Sequence, residues 1–265
     1  MNTFALMREV YPVGFPVMSA ILGGIVGSFL GVVAERVPAM VMGEEGGGNL
    51  LFPESHCPAC QHTLATWENI PLVSWLLLRG RCSRCGVGIP LRIFLIELFS
   101  ALFFGVTAWC MPNVQALFSL WALAAFLLPL ALIDWRHQLL PDCLTQPLLW
   151  AGLLLHTFDH TMPLRDAIFG AVAGYLSLWL LYWAFRLCTG REGLGYGDFK
   201  LQAALGAWCG WQALPTLVLV AALSGIVGYF ILNILNKNNL IIAFGPYLSF
   251  AGIVVFIGQQ FAFIF

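Results

Sequence analysis

Eight apolar segments of the chain are almost free of charge, and they constrain the fold more than any other feature. They lie at roughly 15–35, 93–111, 115–133, 143–158, 167–187, 199–210, 213–235 and 241–264. The sixth is short and rich in Gly and Ala, which indicates a broken or partly re-entrant segment. A membrane-spanning helix needs about 20 mostly apolar residues. Only 9% of the 265 residues are charged, too few to cover a water-exposed globule. The sequence therefore predicts an all-α polytopic membrane protein with eight transmembrane helices and excludes a soluble enzyme or a disordered chain.

Basic residues are distributed unevenly between the two sides of this predicted bundle. Ten of the twelve Lys and Arg residues fall in the segments on one side, which are 36–92, 134–142, 186–200 and 236–239. The positive-inside rule makes that side cytoplasmic and places both termini outside. The net charge of −1 leaves no basic surface for nucleic acid, so the lipid bilayer is the expected partner. The oligomeric state is left open.

Four of the eight cysteines lie in the loop between the first two spans. They form two C-x-x-C pairs, with 21 residues between the pairs: Cys57, Cys60, Cys82 and Cys85. This spacing predicts a zinc ribbon, in which four thiolates close a tetrahedral structural site. A disulfide is disfavoured in the reducing cytoplasm, and neither pair has the thioredoxin-like setting of a redox dithiol. His56 and His62 flank the first pair, but four cysteines already saturate the ion.

The predicted organisation has three parts. Residues 1–37 form the first transmembrane helix, residues 38–92 the cytoplasmic zinc-binding domain, and residues 93–265 the membrane domain. A glycine-rich run at 43–49 opens the loop. It is predicted to be a flexible linker, because no strand precedes it and the G-x-G-x-x-G order is absent.

Two acidic residues lie at the cytoplasmic ends of predicted spans. Asp134 ends the third span, and Asp198 opens the sixth, just after Gly195 and Gly197. Two carboxylates at the edge of a low-dielectric region share a proton, so one acts as base and the other as acid. A water between them can attack a peptide carbonyl, while the glycines let backbone approach closely. Aspartic proteolysis is one interpretation; polar anchoring of helix ends and an ion path in a transporter remain alternatives.

A third acid, Glu97, lies inside the second span. Ionisable side chains within a membrane are costly and need a partner. We expect Glu97 to be a structural partner of Arg92 or Arg36 rather than a catalytic group.

Seven motifs follow one another along the chain: Gly27-Ser-Phe-Leu30, Cys57-Pro-Ala-Cys60, Glu68-Asn-Ile-Pro-Leu-Val-Ser-Trp75, Gly80-Arg-Cys82, the Asp134 to Asp142 segment, Gly195-Tyr-Gly-Asp-Phe-Lys200 and Phe244-Gly-Pro246. The G-x-G-D motif alone is weak, but all seven in this order are specific. Nearly the whole chain resembles the type IV prepilin peptidases of bacterial pilus and type II secretion systems.

That resemblance implies an inner-membrane aspartic peptidase that cleaves the basic leader of prepilins and pseudopilins after a glycine. The family's catalytic acids match Asp134 and Asp198. Many members also methylate the new amino terminus with S-adenosylmethionine, and Gly80 is the best matching residue for that step. Four residues are expected to position the substrate: Gly195, Gly197, Lys200 and Asp142.

The chain departs from the family pattern at the end of its first span. Gly31, Glu35 and Val37 stand where the family often has Asn, Tyr and Leu. These departures do not affect the peptidase prediction. They fall in the half of the chain that the family associates with methylation, so they weaken the prediction of that second activity. Two rival functions remain: a methyltransferase that tolerates loss of both acids, and a transporter or scaffold. The second is disfavoured because the acids are peripheral and no internal repeat is evident.

Overall fold

The computed structural model describes residues 10–43, 49–50, 52, 54–158, 162–191, 193, 195–234 and 243–262. The described residues form nine α-helices: α1 (Gly14–Met42), α2 (Val73–Leu77), α3 (Leu91–Cys110), α4 (Val114–His137), α5 (Asp142–Phe158), α6 (Leu164–Thr189), α7 (Tyr196–Cys209), α8 (Leu214–Ile234) and α9 (Gly245–Ala262). The predicted all-α class is confirmed. Most of the glycine linker (44–48), the loop at 159–161 and the segment 236–239 lie outside the described residues.

Each predicted span coincides with one of these helices, but the count of eight transmembrane helices is not confirmed. Among the described residues, five segments are long and apolar enough to cross a membrane: Gly14–Met42, Leu91–Cys110, Val114–His137, Leu164–Thr189 and Trp211–Ile234. Helix α7 has only 14 residues. At 1.5 Å per residue it is about 21 Å long, shorter than a hydrocarbon core of about 30 Å. Eleven of its residues are buried, so α7 is enclosed by neighbouring helices.

Helix α1 extends seven residues beyond its predicted end. It continues through Pro38 and stops at Gly43, which has a left-handed φ of 69° and donates its N–H to Ala39 O. A glycine in this conformation is the usual helix terminator because it carries no Cβ. The helix therefore ends at Met42, directly before the glycine-rich run.

The chain divides into two compact units, Met1–Trp121 and Ala122–Phe265. In the first unit, α1 packs against α3. A Cβ on Gly23 would lie 2.6 Å from Cβ of Phe104, and one on Gly27 would lie 2.6 Å from Cβ of Ser100. Small residues of this kind let membrane helices approach closely.

In the second unit, α7 packs against α5, α6 and α9. Helices α6 and α7 cross at Gly170 and Gly206, where a Cβ on either residue would collide with the backbone of the other. The indole N–H of Trp208 donates to the carbonyl of Leu148 on α5 at 2.8 Å. These contacts fix α7, whose first turn carries Asp198.

Candidate active site and metal centre

Asp134 lies in the last turn of α4 and is held by the first residue of α9. Its side chain is buried, with the residue 6% exposed. Its Oδ2 accepts a hydrogen bond of 2.8 Å from the backbone N–H of Gly245. A Cβ at position 245 would lie 2.5 Å from the same oxygen, so the contact requires glycine. The Phe244-Gly245-Pro246 motif therefore contributes directly to the site.

Asp198 lies in the first turn of α7 and is 7% exposed. Its Oδ2 accepts a hydrogen bond of 3.2 Å from the backbone N–H of Gly195. A carboxylate at a helix N-terminus is also stabilised by the helix dipole. Buried acids of this kind need such partners, because transfer of a charge from water to an apolar environment is costly.

The structure brings Asp134 and Asp198 together. The two carboxyl groups are close enough for their charges to interact. Leu140 packs against the starts of both α7 and α9. A Cβ on Gly197 would lie 2.7 Å from Cβ of Leu140, and a Cβ on Gly245 would lie 3.2 Å from Cδ2 of Leu140. The loop after Asp134 thus fills the space beside both acids, and Gly197 is required for this packing.

Two further residues from the predicted site pair with each other. The ammonium of Lys200 on α7 donates to both oxygens of Asp142, the first residue of α5, at 2.7 and 2.9 Å. The pair is partly open to solvent, with side-chain exposures of 34% for Lys200 and 61% for Asp142. The ion pair joins the N-terminal turns of α5 and α7. Lys200 lies on the same turn of α7 as Asp198.

The four cysteines of the loop converge in the first unit. Their Sγ atoms all lie within 4.8 Å of one another. The Sγ atoms of Cys57 and Cys85 are 3.7 Å apart, and those of Cys60 and Cys82 are 4.0 Å apart. A tetrahedral zinc with Zn–S bonds of about 2.3 Å has sulfur–sulfur edges of about 3.8 Å. The cluster therefore has the dimensions of a four-thiolate metal site.

The two C-x-x-C segments adopt the same turn. In each, the residue after the second cysteine has a positive φ (55° for Gln61 and 72° for Gly86) and donates its N–H to the first cysteine's carbonyl. The backbone N–H of Cys85 lowers the pKa of the Cys82 thiol to about 6. The N–H of Cys60 likewise lowers the pKa of Cys57. Both effects favour the thiolate at these two cysteines, which is the form that binds metal. Despite the backbone N–H of Val87, burial and the neighbouring thiols raise the pKa of Cys85 to about 12.

The two histidines of the loop have other partners. Nδ1 of His56 lies 2.9 Å from the carbonyl of Glu54, and Nε2 of His62 lies 3.5 Å from Oε2 of Glu68. Hydrogen bonds from the Ser83 hydroxyl and the Ala65 N–H, together with His62, hold the pKa of Glu68 below its usual range. Glu68 thus connects the two cysteine turns.

Gly80 lies against an aromatic side chain of the same loop. Its φ is +67°, and a Cβ there would lie 2.7 Å from Cζ2 of Trp75. Its N–H donates to the carbonyl of Trp75 at 2.8 Å, and the indole packs on Phe94 with ring centroids 4.6 Å apart. Both the backbone and the indole therefore require glycine at this position.

Glu97 is buried but does not pair with either predicted arginine in the described contacts. Its Oε2 accepts a hydrogen bond of 2.8 Å from the N–H of Leu72. Leu72 has a φ of +63°, unusual for a residue with a branched side chain. Arg92 instead pairs with Glu35 at 2.9 Å. The sequence prediction missed the Leu72 contact because no local pattern marks a backbone N–H as the partner of a buried acid.

The long apolar helices define a polytopic membrane protein, which carries two neighbouring buried aspartates. Comparison with known proteins identifies its family. A model described as the type IV leader peptidase family matches residues 121–232. A second model, the bacterial peptidase A24 N-terminal domain, matches residues 21–111. The chain belongs to the type IV leader peptidase family, which confirms the resemblance seen in the sequence.

Relatives named prepilin leader peptidase/N-methyltransferase cover almost the entire chain. The protein from Stutzerimonas stutzeri is 44% identical over 94% of this chain and 93% of its own length. Those from Pseudomonas aeruginosa (91% of this chain, 90% of the relative) and Pectobacterium carotovorum (96% of each) are both 46% identical. No solved structure matches the chain.

Proposed function

We propose that this protein is a membrane-embedded aspartic endopeptidase that removes the basic leader of prepilins or pseudopilins after a glycine, with Asp134 and Asp198 as the catalytic pair. The observation that carries the proposal is the convergence of these two buried carboxylates, each fixed by a glycine N–H. The family and the names of the relatives support the substrate class. They also favour a peptidase over a transporter or scaffold.

Hydrolysis by this pair needs neither a metal nor a covalent intermediate. The ionised carboxylate takes a proton from water as the water oxygen attacks the scissile carbonyl carbon. The protonated carboxylate gives its proton to the carbonyl oxygen, which leaves a neutral gem-diol intermediate. The carboxyl that took the water proton then gives it to the amide nitrogen as the C–N bond breaks, while the other carboxylate takes back a hydroxyl proton. The new amino terminus is released, and both acids return to their starting protonation states. The bonds from Gly245 and Gly195 fix the rotamers of the two acids before substrate arrives, which preorganises the site.

The residues around the pair are assigned to substrate positioning. Gly195 leaves the backbone beside Asp198 accessible to an extended peptide, whereas Gly197 acts indirectly by making room for the Leu140 side chain. Lys200 on α7 and Asp142 on α5 form an ion pair at the solvent-exposed edge of the site. This pair sets the separation of the two helices.

The cysteine cluster is assigned to one structural zinc ion, bound by Cys57, Cys60, Cys82 and Cys85. The sulfur separations fit a tetrahedral thiolate site, and four ligands leave no open position for catalysis. Zinc would hold together a loop that has only two isolated backbone bridges among its described residues, His56–Thr63 and Arg81–Gly88.

A second activity, N-methylation of the newly exposed amino terminus, is proposed from the names of the relatives. S-adenosylmethionine is the proposed methyl donor. Gly80 remains the candidate residue for this step, and its packing against Trp75 supplies a physical reason for its identity.

The proposed location is the bacterial inner membrane, with the zinc loop and the acids on the cytoplasmic side and both termini in the periplasm. The asymmetry of basic residues supports this orientation. It places the active site where the basic leader of a membrane-inserted prepilin lies. Residues 1–37, 38–92 and 93–265 are the proposed first helix, zinc domain and peptidase domain.

The test is to mix purified protein in lipid nanodiscs with a prepilin and to follow the products by mass spectrometry, with and without S-adenosylmethionine. We expect loss of the leader after glycine, followed by addition of one methyl group when the donor is present. The matched control is Asp166→Asn, because Asp166 is an acid of the same unit that binds Gln212. Absence of cleavage by the intact wild-type protein would overturn the proposal.

A further inference from the structure

A groove of about 620 Å³ lies between α6 and Trp211, the first residue of the 3₁₀ helix Trp211–Ala213. This volume is in the range of ligand-binding sites, about 300 to 1,000 Å³. Phe169, Val172 and Leu176 form its apolar wall, and each of these residues is between 44 and 51% exposed. Because α6 is long and apolar enough to cross a membrane, its exposed apolar side chains meet lipid. The groove is therefore open to the bilayer.

The groove follows one face of α6. Arg165, Phe169, Val172 and Leu176 recur at the three- and four-residue spacing that places side chains on one side of a helix. Eleven positions separate Arg165 from Leu176, which at 1.5 Å per residue is about 16 Å. One leaflet of a bilayer contributes half of a hydrocarbon core of about 30 Å. The groove thus has the length of one leaflet, with its basic residue at one end.

The basic end of the groove carries an arginine that is available to a ligand. Cζ of Arg165 lies 5.3 Å from the ring centroid of Phe169, and this cation–π contact holds the guanidinium over the groove. Among the described residues, no ion pair joins Arg165 to a carboxylate. The adjacent acid, Asp166, instead accepts a hydrogen bond of 3.0 Å from the side chain of Gln212. The guanidinium can therefore donate to an anion, and its fork of N–H groups matches the oxygens of a phosphate.

Trp211 lies at the same end of the groove, since the neighbouring Gln212 is bonded to the first turn of α6. Trp211 is 48% exposed and lines the groove. Tryptophan is enriched where a membrane meets water, and arginine extends its charged end to the lipid headgroups there. Arg165 is also one of only two basic residues on the predicted periplasmic side, the other being Arg8. The basic end of the groove thus has the composition of a membrane boundary.

We propose that this groove binds one glycerophospholipid, whose phosphate contacts Arg165 and one of whose acyl chains lies along Phe169, Val172 and Leu176. The carboxylate of Asp166 also lines the groove and repels a second negative charge. Zwitterionic phosphatidylethanolamine is therefore bound in preference to anionic phosphatidylglycerol.

This lipid site goes beyond the proposed function and is separate from the proposed peptidase site. Trp211 follows the C-terminal end of α7, whereas Asp198 lies in the first turn of that helix. The proposed orientation places the lipid in the periplasmic leaflet.

The test is native mass spectrometry of the full-length protein in detergent, titrated with phosphatidylethanolamine or phosphatidylglycerol of the same acyl chains. Wild-type protein is expected to retain one phosphatidylethanolamine at the lowest lipid concentrations and to bind it more tightly than phosphatidylglycerol. Arg165→Gln is expected to weaken phosphatidylethanolamine binding about tenfold or more, the scale of one hydrogen bond to a charged group. Arg191→Gln is the matched control, because Arg191 is an exposed arginine just beyond the other end of α6. Its affinity should equal that of the wild type.

Val172→Trp tests the acyl-chain part of the site, because the larger side chain fills the groove without changing its charge. This variant is expected to weaken binding of both lipids, whereas Leu180→Trp, at a 59% exposed position of α6 outside the groove, should not. Phosphatidylethanolamine should also raise the Tm of the wild type more than that of Arg165→Gln, since a ligand of the folded state stabilises it. Wild-type affinity for phosphatidylethanolamine in either Arg165→Gln or Val172→Trp, or tighter binding of phosphatidylglycerol by the wild type, would overturn the inference. Because these measurements do not use peptidase activity, their result is independent of the proposed function.

Discussion

The backbone N–H of Gly245 donates a hydrogen bond of 2.8 Å to Oδ2 of Asp134, across 111 positions of sequence. The contact fixes the start of α9 on the end of α4 at one of the two proposed catalytic acids. A residue distant from both acid motifs therefore sets the orientation of a catalytic carboxylate.

Gly245→Ala is expected to reduce leader cleavage by about a hundredfold, because the added Cβ would lie 2.5 Å from the Asp134 oxygen and displace it. The measurement is the initial cleavage rate of a prepilin, together with the thermal stability of each variant. Gly258→Ala, on the same helix, is the control because nothing lies within 4 Å of its added Cβ. Equal rates for the two variants would show that the Gly245 contact is unimportant.

Metal analysis of protein purified without chelator is expected to find about one zinc per chain. Replacing Cys60 and Cys85 together by Ser should abolish zinc binding, because two thiolates cannot hold the ion in a closed site. Cys188→Ser, which replaces an exposed cysteine elsewhere, should leave the zinc content unchanged. Iron–sulfur absorbance, or full zinc content in the double variant, would contradict the assignment.

Gly80→Ala is expected to lower methylation of a pre-cleaved pilin, since the new Cβ would collide with the Trp75 indole. Gly86→Ala separates this collision from backbone strain, because Gly86 also has a positive φ but open space around its Cβ position. Methylation and tryptophan fluorescence should change more in Gly80→Ala than in Gly86→Ala. The same loss in both variants would point to backbone strain rather than to the indole contact.

The proposed orientation predicts which surface a membrane-impermeant thiol reagent reaches. In intact cells lacking the outer membrane, Gly47→Cys should be protected and His160→Cys should be labelled. The reason is the concentration of ten of twelve basic residues on one side. Labelling of Gly47→Cys from the periplasmic side would reverse the topology.

Local patterns in the sequence predicted the helical segments and the cysteine cluster. The metal-binding cluster was predictable because the spacing of its cysteines alone indicates a shared ion. The structure brings together the sulfurs of Cys57, Cys60, Cys82 and Cys85. The pairing of Asp134 with Asp198 was predictable because both lie at span ends on one side of the bundle. The sequence also predicts that the sixth span, which is α7, is short. The near-complete enclosure of α7 was not predictable, because it depends on the helices that surround it.

Contacts between distant backbone groups and side chains could not be predicted in the same way. No local signal connects Gly245 to Asp134, and only the family resemblance drew attention to the Phe244-Gly245-Pro246 motif. Glu97 was expected to pair with an arginine, but the N–H of Leu72 is its partner because the loop turns there with a positive φ. A positive φ at a leucine cannot be inferred from the amino-acid sequence around it.

The most direct test of the central claim is the cleavage rate of Asp134→Asn, Asp198→Asn and the double variant. Asparagine keeps the shape of each side chain but cannot exchange the proton that water activation requires. Each single variant should lose leader cleavage, and the double variant should be no worse than either, because the two acids act as one unit. Asp142→Asn should be milder, and zinc content and methylation of a pre-cleaved pilin should persist in all three catalytic variants. Wild-type cleavage by well-folded Asp134→Asn or Asp198→Asn protein would contradict the aspartic mechanism.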